Sequence, residues 1–463
     1  MTARPQLSWR RLLRLVGYTC LFAGIGLVTV LLVAIGRGYR IDLKTGEIIG
    51  GGLLIVDSTP ADATVLVDGK TQKHSAPMRL SLKAGNYQLE LQRDGYQPWQ
   101  KEVSIAVGRV TRIPYPLLLP TKGEATGITT LNEPVQFVQS PNRRQLAWVS
   151  RTGGWQVMTM AIGTNQPTVV YRLPANLGVT AITQLSWGPD VRNLLLKANT
   201  PAGSRYFLIR IADGTAQDLT AMTKLDWAEL RFSDTSDTNL VGLVGAGLRR
   251  FDSTRNSLSP VLATKVSFIM PKENNLYLVQ AVGNGQQVVR LDRDDQPHVI
   301  VGNLESASYS LNYAAYGDQR HLVLLDQTKQ LVSLYDPLSE SQQTRARFDT
   351  VSASTVTVSP DGRFLVMSNG AVGATHDFDE GRLWRWRLDG VPQSAFNWYD
   401  NFHLLTTIAG RLTIVEFDGQ NAQALAKVRS GFTSYASRNG SQVFCLTGSV
   451  RASTLTVLTL PTD

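Results

Sequence analysis

The sequence predicts an all-β protein carried behind a single N-terminal apolar helix. Three observations predict this class. An uncharged apolar run of 21 residues, Leu15–Ile35, stands near the start. From residue 53 onward, apolar and polar residues alternate in short stretches that close on Gly, Asp or Asn, the period-two signature of strands. Beyond residue 127 these stretches recur about every 40 residues, a period that belongs to whole structural units. Helical 3.6-residue periodicity is nearly absent after residue 36.

The chain has 463 residues, so two or more folded bodies are expected. Apolar residues make up 43% and charged residues 18%, a globular composition. The net charge of +9 is concentrated at the start. Arg4, Arg10, Arg11, Arg14, Arg37, Arg40 and Lys44 face Asp42 alone within residues 1–44. The remainder, with 39 basic and 36 acidic residues, is close to neutral. A nucleic-acid binder carries its basic excess on the folded domain, so a nucleic-acid partner is not expected. The two cysteines, Cys20 and Cys445, exclude a disulfide-stapled scaffold.

At about 1.5 Å rise per residue, Leu15–Ile35 covers roughly the 30 Å hydrocarbon core of a bilayer. A cleaved signal peptide has a shorter apolar region, about 7–15 residues, before small residues. Here Gly36-Arg37-Gly38-Tyr39-Arg40 follows. The run is therefore expected to be an uncleaved single-pass anchor over residues 15–36, in contact with the bilayer through residues 15–35. Four arginines and no acid precede it, against three bases and one acid in residues 37–44. Retention of basic flanks in the cytoplasm predicts a cytoplasmic tail of residues 1–14 and an extracytoplasmic bulk. Residues 37–51 read as a link, with Gly50-Gly51-Gly52 as a flexible or turning joint.

Residues 52–119 read as a small antiparallel β-sandwich. LLIVDS, ATVLVDG, MRLSLKAG, NYQLELQRDG and KEVSIAVG each end at a turn residue. Alternation in NYQLELQ puts Tyr87, Leu89 and Leu91 on one face. Asp68-Gly69 and Asp94-Gly95 suit tight turns with positive φ. STPADATVLVDGK (Ser58–Lys70), the Ala84-Gly85 turn and Asp94-Gly95-Tyr96-Gln97-Pro98-Trp99 occur in that order. In this combination the segment resembles the PEGA domain, a small β-sandwich of bacterial surface and envelope proteins. The Pro-Glu-Gly-Ala turn that names the family stands here as Pro60-Ala61-Asp62-Ala63.

Residues 127–463 carry a repeat. Its first mark is a strand ending in an acid or turn: WQVMTMAIG, YFLIRIADG, GLRRFD, QVVRLD, QLVSLYD, LWRWRLDG, LTIVEFDG and LTVLTLP. Its second mark is a turn leading into a strand, as in SPNRRQLAWV, GPDVRNLLLKA, MPKENNLYLVQA, SPDGRFLVMS and SRNGSQVFCLT. Gaps run from 29 residues (Asp389 to Asp418) to 53 (Asp336 to Asp389). A period of roughly 40–45 with short strands is that of a β-propeller blade. SPDGRFLVMS is similar to the repeat of TolB-like and WD40-like propellers. Eight copies favour eight blades, with seven as the other count. The ring is expected to be closed by a strand near Gly127–Leu131.

No G-x-S-x-G elbow, P-loop, HExxH or CxxC pair is present. His74, His298, His321, His376 and His403 are scattered, and structural roles are expected for them. ATHDFDEGR (Ala374–Arg382), read as an insertion between blade strands, offers His376, Asp377, Asp379 and Glu380 as candidate metal ligands. LDRDDQPH (Leu291–His298) is a similar charged loop. Tyr96 and Trp99, and Trp384 and Trp386 on one face of LWRWRL, are the aromatic candidates for a binding surface, with core packing as the other reading. No cofactor is expected.

The resemblance and the absence of catalytic motifs together give the expected function. It is a membrane-anchored, non-catalytic binding or scaffold protein of the cell envelope, presenting a propeller face to a protein or a cell-wall glycan. A subunit of an outer-membrane assembly complex is a variant of this reading. The alternative is a propeller enzyme, a hydrolase or lyase, with its site in the central channel.

Overall fold

The structure, a computed structural model, describes residues 9–36, 39–41, 48–449 and 452–460. The expected tail lies largely in residues 1–8, outside the described residues, as does most of the expected link, residues 37–38 and 42–47. The chain divides into two compact units that meet in sequence near Thr121.

The first unit opens with helix α1 (Trp9–Gly36). Within it the 19 residues Leu15–Val33 form an apolar span with no side chain buried, long enough to cross a bilayer. Strands β1 (Tyr39–Ile41), β2 (Ile48–Val56), β3 (Thr64–Val67), β4 (Lys70–Thr71), β5 (Met78–Lys83), β6 (Gly85–Gln92), β7 (Trp99–Ile105) and β8 (Val110–Ile113) follow. One sheet runs β1-β2-β5, with β8 parallel to β2, and the other runs β4-β3-β6-β7. Leu54, Val56, Val65, Leu89, Leu91, Trp99, Val103 and Ile105 interdigitate between the sheets as one core. Burial alternates strictly along β7, and Leu89 and Leu91 point inward as the pattern of NYQLELQ predicts. Each such leucine contributes about 2 kcal/mol. Asp68 and Gly69 both take positive φ between β3 and β4. The triple glycine differs from the expected flexible joint, because it lies inside β2. A Cβ on Gly52 would sit 2.5 Å from the Ala106 carbonyl oxygen, so glycine is what lets the turn between β7 and β8 pass this close.

In the second unit the described residues form eight four-stranded antiparallel sheets. The first strands of the eight are Val135–Gln139, Ala181–Trp187, Trp227–Phe232, Val266–Lys272, Tyr309–Tyr316, Thr355–Val358, Asn397–Trp398 and Tyr435–Ala436. Several of these lie directly against the first strand of the next sheet, which makes them the inner strands of a ring. Apolar clusters fill the gaps between neighbouring sheets, such as Ala147, Val157, Leu185, Leu194 and Phe207 between the first two. The last sheet takes its fourth strand from the start of the unit: β9 (Glu124–Asn132) pairs with Ala452–Thr459. That strand contains the expected Gly127–Leu131. The fold is a β-propeller.

The two sequence marks have defined structures. The turn mark closes the first hairpin of a sheet. In the first, sixth and eighth sheets Ser140, Ser359 and Ser437 accept at Oγ from the amides of Gln145 (2.9 Å), Phe364 (2.9 Å) and Gln442 (3.0 Å). The same hydroxyls donate to Asn142, Asp361 and Asn439. In the second sheet Gly188 replaces the serine, and the carboxylate of Asp237 reaches over from the third sheet. It accepts from the amides of Asp190 (2.6 Å), Arg192 (2.7 Å) and Asn193 (2.9 Å). A Cβ at Gly188 would sit 2.2 Å from Asp237 Oδ1.

The strand-and-acid mark is the third strand of a sheet followed by an Asx turn, as at Asp252 and Asp292. The sixth copy is the exception. LWRWRLDG contributes the fourth strand, Leu383–Arg387, while the third is Val372–Asp377. Ala374–Arg382 is therefore a strand end and its turn, where the sequence suggested an insertion. With Asp377 in place of Asp389, the acids Asp336, Asp377 and Asp418 stand 41 residues apart, and the irregular gaps disappear. The strand was hidden because Gly373, Ala374, Thr375 and His376 carry no apolar alternation.

Asp237→Ala is expected to leave three amides without an acceptor, that of Asn193 buried and those of Asp190 and Arg192 part-buried, and to destabilise the propeller by about 2–4 kcal/mol. A lowered unfolding midpoint of the detergent-solubilised protein checks this, and an unchanged midpoint refutes it.

Candidate functional site

The predicted acidic ligands converge on an arginine. Asp377 is fully buried and pairs in bidentate fashion with Arg363, Nε to Oδ1 at 3.0 Å and an Nη to Oδ2 at 2.6 Å. Asp379 and Glu380 approach the same guanidinium at 3.4 and 3.6 Å. Asp377 also accepts from the Asp379 amide at 2.8 Å, which shapes the turn. Burial works against charge on Arg363, but the Asp377 hydrogen bonds and the surrounding acids outweigh it and raise its pKa. His376 turns away into a ring cluster with Phe348 (5.2 Å) and Phe378 (5.0 Å), and burial lowers its pKa. The structure thus gives these oxygens to a cation already in the chain. Among the described residues no three His, Cys, Asp or Glu gather as a metal site. In the Leu291–His298 loop, Asp295 pairs with Arg250 at 2.7 Å. His298 bridges Glu340 (2.6 Å) and Asp292 (3.1 Å), and these two carboxylates raise its pKa.

Trp99 and Trp386, one from each aromatic pair, are each buried in the core of their own unit. Trp99 is fully buried in the sandwich, edge-on to Tyr115 at 6.4 Å. Tyr96 is half-buried under the Arg93 guanidinium at 5.3 Å. Trp386 is buried and donates from Nε1 to Thr375 Oγ1 at 3.0 Å, while that hydroxyl donates to the Phe417 carbonyl. Its indole lies across Gly373 and Gly419, where a Cβ would meet ring carbons at 2.3 Å and 2.6 Å. Trp384 packs against Phe364 (6.4 Å) and Phe417 (5.2 Å), with Arg382 over its ring at 5.0 Å. Trp99 and Trp386, read as possible exposed platforms, are core residues, because each fills space that two apposed strands leave.

The inner strands carry three charged residues, Glu229, Arg231 and Lys272. Glu229 and Arg231 pair with each other, and the Arg231 guanidinium covers Phe268 at 5.3 Å. Lys272 lies over Tyr313 at 5.8 Å. The face formed by the first-hairpin turns is laced from sheet to sheet. Asp234 accepts from the Asn274 amide (3.1 Å), Tyr313 donates to Glu273 (2.7 Å), and Tyr399 donates to the Gly440 carbonyl (2.7 Å). Arg143 donates to the carbonyls of Trp398 and Tyr399, both at 2.9 Å. Beside them His403 Nδ1 meets Asp400 at 2.8 Å. Burial opposes the Asp400 charge, and His403 with the Phe402 and His403 amides outweighs it, lowering its pKa. Neither this lacing nor the Asp237 bridge was legible beforehand, since each joins residues roughly 40 or more positions apart with no local pattern.

Residues 51–118, most of the two-sheet body of the first unit, match the PEGA domain family by sequence. No curated protein matches the chain by sequence. Among solved structures, dihydro-heme d1 dehydrogenase NirN in complex with DHE is similar at a TM-score of 0.50 and 10% identity, covering 70% of this chain and 75% of that one. Oligogalacturonate lyase from Vibrio parahaemolyticus is similar at 0.43 and 11%, covering 73% and 94%. A chain of the mitotic checkpoint complex is similar at 0.43 and 11%, covering 73% and 93%. These likenesses concern the propeller fold that follows the PEGA domain. They also correct one expectation. The absence of catalytic motifs predicts a chain that is not an enzyme, but the fold it shares with NirN is that of a named dehydrogenase. A missing local motif does not exclude catalysis in a ring where distant strands converge.

Arg363→Met is expected to strand the buried Asp377 carboxylate and to cost about 3–5 kcal/mol. Calcium or a chelator should leave the wild-type unfolding midpoint unmoved. A calcium-dependent rise would instead return these acids to a metal. His321, stacked on Phe378 at 4.4 Å, has its pKa pushed down to about 4 by burial, with Arg345 and His376 adding repulsion. Its neutral ring stabilises the fold above the ordinary value near 6.5, and that stability is lost as pH falls from there through about 4. His321→Phe should flatten the midpoint-versus-pH curve in that window, and an unaltered slope refutes the assignment.

Proposed function

We propose that the protein is held in the cytoplasmic membrane by α1, with its N-terminus inside and its PEGA domain and propeller outside. There the propeller offers a turn face to a ligand or partner of the cell envelope. The observation that carries this reading is the fully exposed apolar span of Leu15–Val33, followed within about twenty residues by a PEGA domain. Among the described residues nothing in its own unit buries this apolar surface, and a bilayer covers it. The basic residues before it favour the stated orientation. The laced hairpin turns support a rigid binding face, since side chains held from both sides lose little freedom when a ligand docks.

A second reading, a catalytic propeller, is favoured by the fold shared with NirN. Recovery of the bound ligand separates the two. A ligand of unchanged mass supports binding, and a ligand changed in mass on the protein supports turnover.

The topology is open to cysteine labelling. Cys20 lies within the apolar span, and Cys445 is fully buried with its thiol pKa pushed up to about 12, so both are expected to be silent. In intact cells an impermeant maleimide should label Asn284→Cys, an exposed turn position, and should spare Ser8→Cys until the membrane is opened. The reverse pattern would overturn the orientation.

A further inference from the structure

We propose that the cleft where the propeller's last sheet meets its first binds an anionic group, a phosphate or a carboxylate, through Arg144 and Arg438. The cleft measures about 600 Å³ and is lined by Arg143, Arg144, Ser437, Arg438, Asn439 and Gln442, with Ile162, Gly163 and Ser441 completing the wall. Three arginines line it, and no Asp or Glu does. This inference names the ligand chemistry of the turn face proposed above and rests on that reading for its biological setting.

The turns that frame the cleft show how the acid-free lining arises. In the sixth sheet the hairpin Ser-Pro-Asp-Gly uses Asp361 to accept from Ser359 Oγ (2.6 Å) and from the Arg363 amide (3.1 Å). In the first sheet Asn142 makes the same two bonds, to Ser140 Oγ (2.8 Å) and the Arg144 amide (3.0 Å). In the eighth, Asn439 accepts from Ser437 Oγ (2.9 Å) and the Ser441 amide (3.2 Å). An amide oxygen does the work of the carboxylate without its charge, and it does so in the two turns that line the cleft. The same turns gain arginine. Arg438 stands where the sixth sheet has Pro360. Arg143 stands at the left-handed position (φ 57°) that Gly362 and Gly440 hold elsewhere.

Arg143 is committed to the Trp398 and Tyr399 carbonyls, which fixes one wall. Arg144 and Arg438 are exposed, and neither pairs with a carboxylate among the described residues. Elsewhere on the propeller, arginines with an acid in reach take it, as Arg205, Arg250 and Arg363 do. Two guanidinium groups without a carboxylate partner, on arginines lining one cleft, match the bidentate chemistry of phosphate and carboxylate. Their neighbours Ser437, Asn439 and Gln442 supply hydroxyl and amide groups for the rest of a ligand.

Calorimetry on the full-length protein in a neutral detergent at low ionic strength tests this, with pyrophosphate and citrate as separate probes. At least one of them is expected to bind, and the better one states whether phosphate or carboxylate is preferred. The double variant Arg144→Gln/Arg438→Gln should weaken that binding at least tenfold. A second variant, Asn142→Asp/Asn439→Asp, keeps both arginines and, as Asp361 shows, the turn geometry. It should weaken binding as well, by returning negative charge to the cleft. Absence of binding by both probes, or wild-type affinity in both variants, overturns the proposal. The labelling experiment is independent of either result, so failure here is distinguishable from failure of the proposed topology.

Discussion

The pairing of Glu124–Asn132 with Ala452–Thr459 is the contact on which the propeller depends. Each sheet buries both faces against its neighbours, so every sheet requires two neighbours. Without closure, Leu131, Phe137, Leu146, Trp148, Phe444, Leu446 and Leu455 would lose the cluster they form between the last sheet and the first. The unpaired third strand of the last sheet would also present an open edge for aggregation. Closing the ring with a strand from the beginning of the unit removes that edge and ties its two ends together.

Around that closure, polar groups fix each sheet against the next. Ser140, Ser359 and Ser437 hold their own hairpins, whereas the second hairpin is held by Asp237 from the third sheet. The exchange requires a glycine at 188, because a serine there would occupy the space of the incoming carboxylate. A residue that looks like a degenerate copy of the repeat is thus a position adapted to a neighbour. Gly373 has a similar logic: it vacates space for the indole of Trp386, and the apolar bulk of the sixth sheet moves outward by one strand.

Charge is distributed on the same principle. Where acids gather, as at Asp377, Asp379 and Glu380, a guanidinium is already among them. Where the turn acids are replaced by asparagine, at residues 142 and 439, arginines remain unpaired. A cluster of acids in sequence therefore marks an internal ion pair here, and the unspent charge lies where sequence shows only a weakened repeat. The sixth-sheet acids were the most visible candidates because they are contiguous. The seam arginines were invisible because they come to line one cleft only after the ring has closed.

The sequence by itself determined what depends on neighbours along the chain. It specified the apolar helix, the alternating strands of the PEGA domain, the Asp-Gly turns, and a period of about 40 residues that announces a propeller. Such features need only local periodicity and the backbone preferences of Gly, Asp and Pro. Only the tertiary structure decided which strand is third in the sixth sheet and that Arg363 takes Asp377. It likewise decided that Trp99 and Trp386 are core, and that Arg144 and Arg438 share a cleft. Each outcome turns on the space and charge offered by residues far away in sequence, and no local pattern encodes which distant group arrives first.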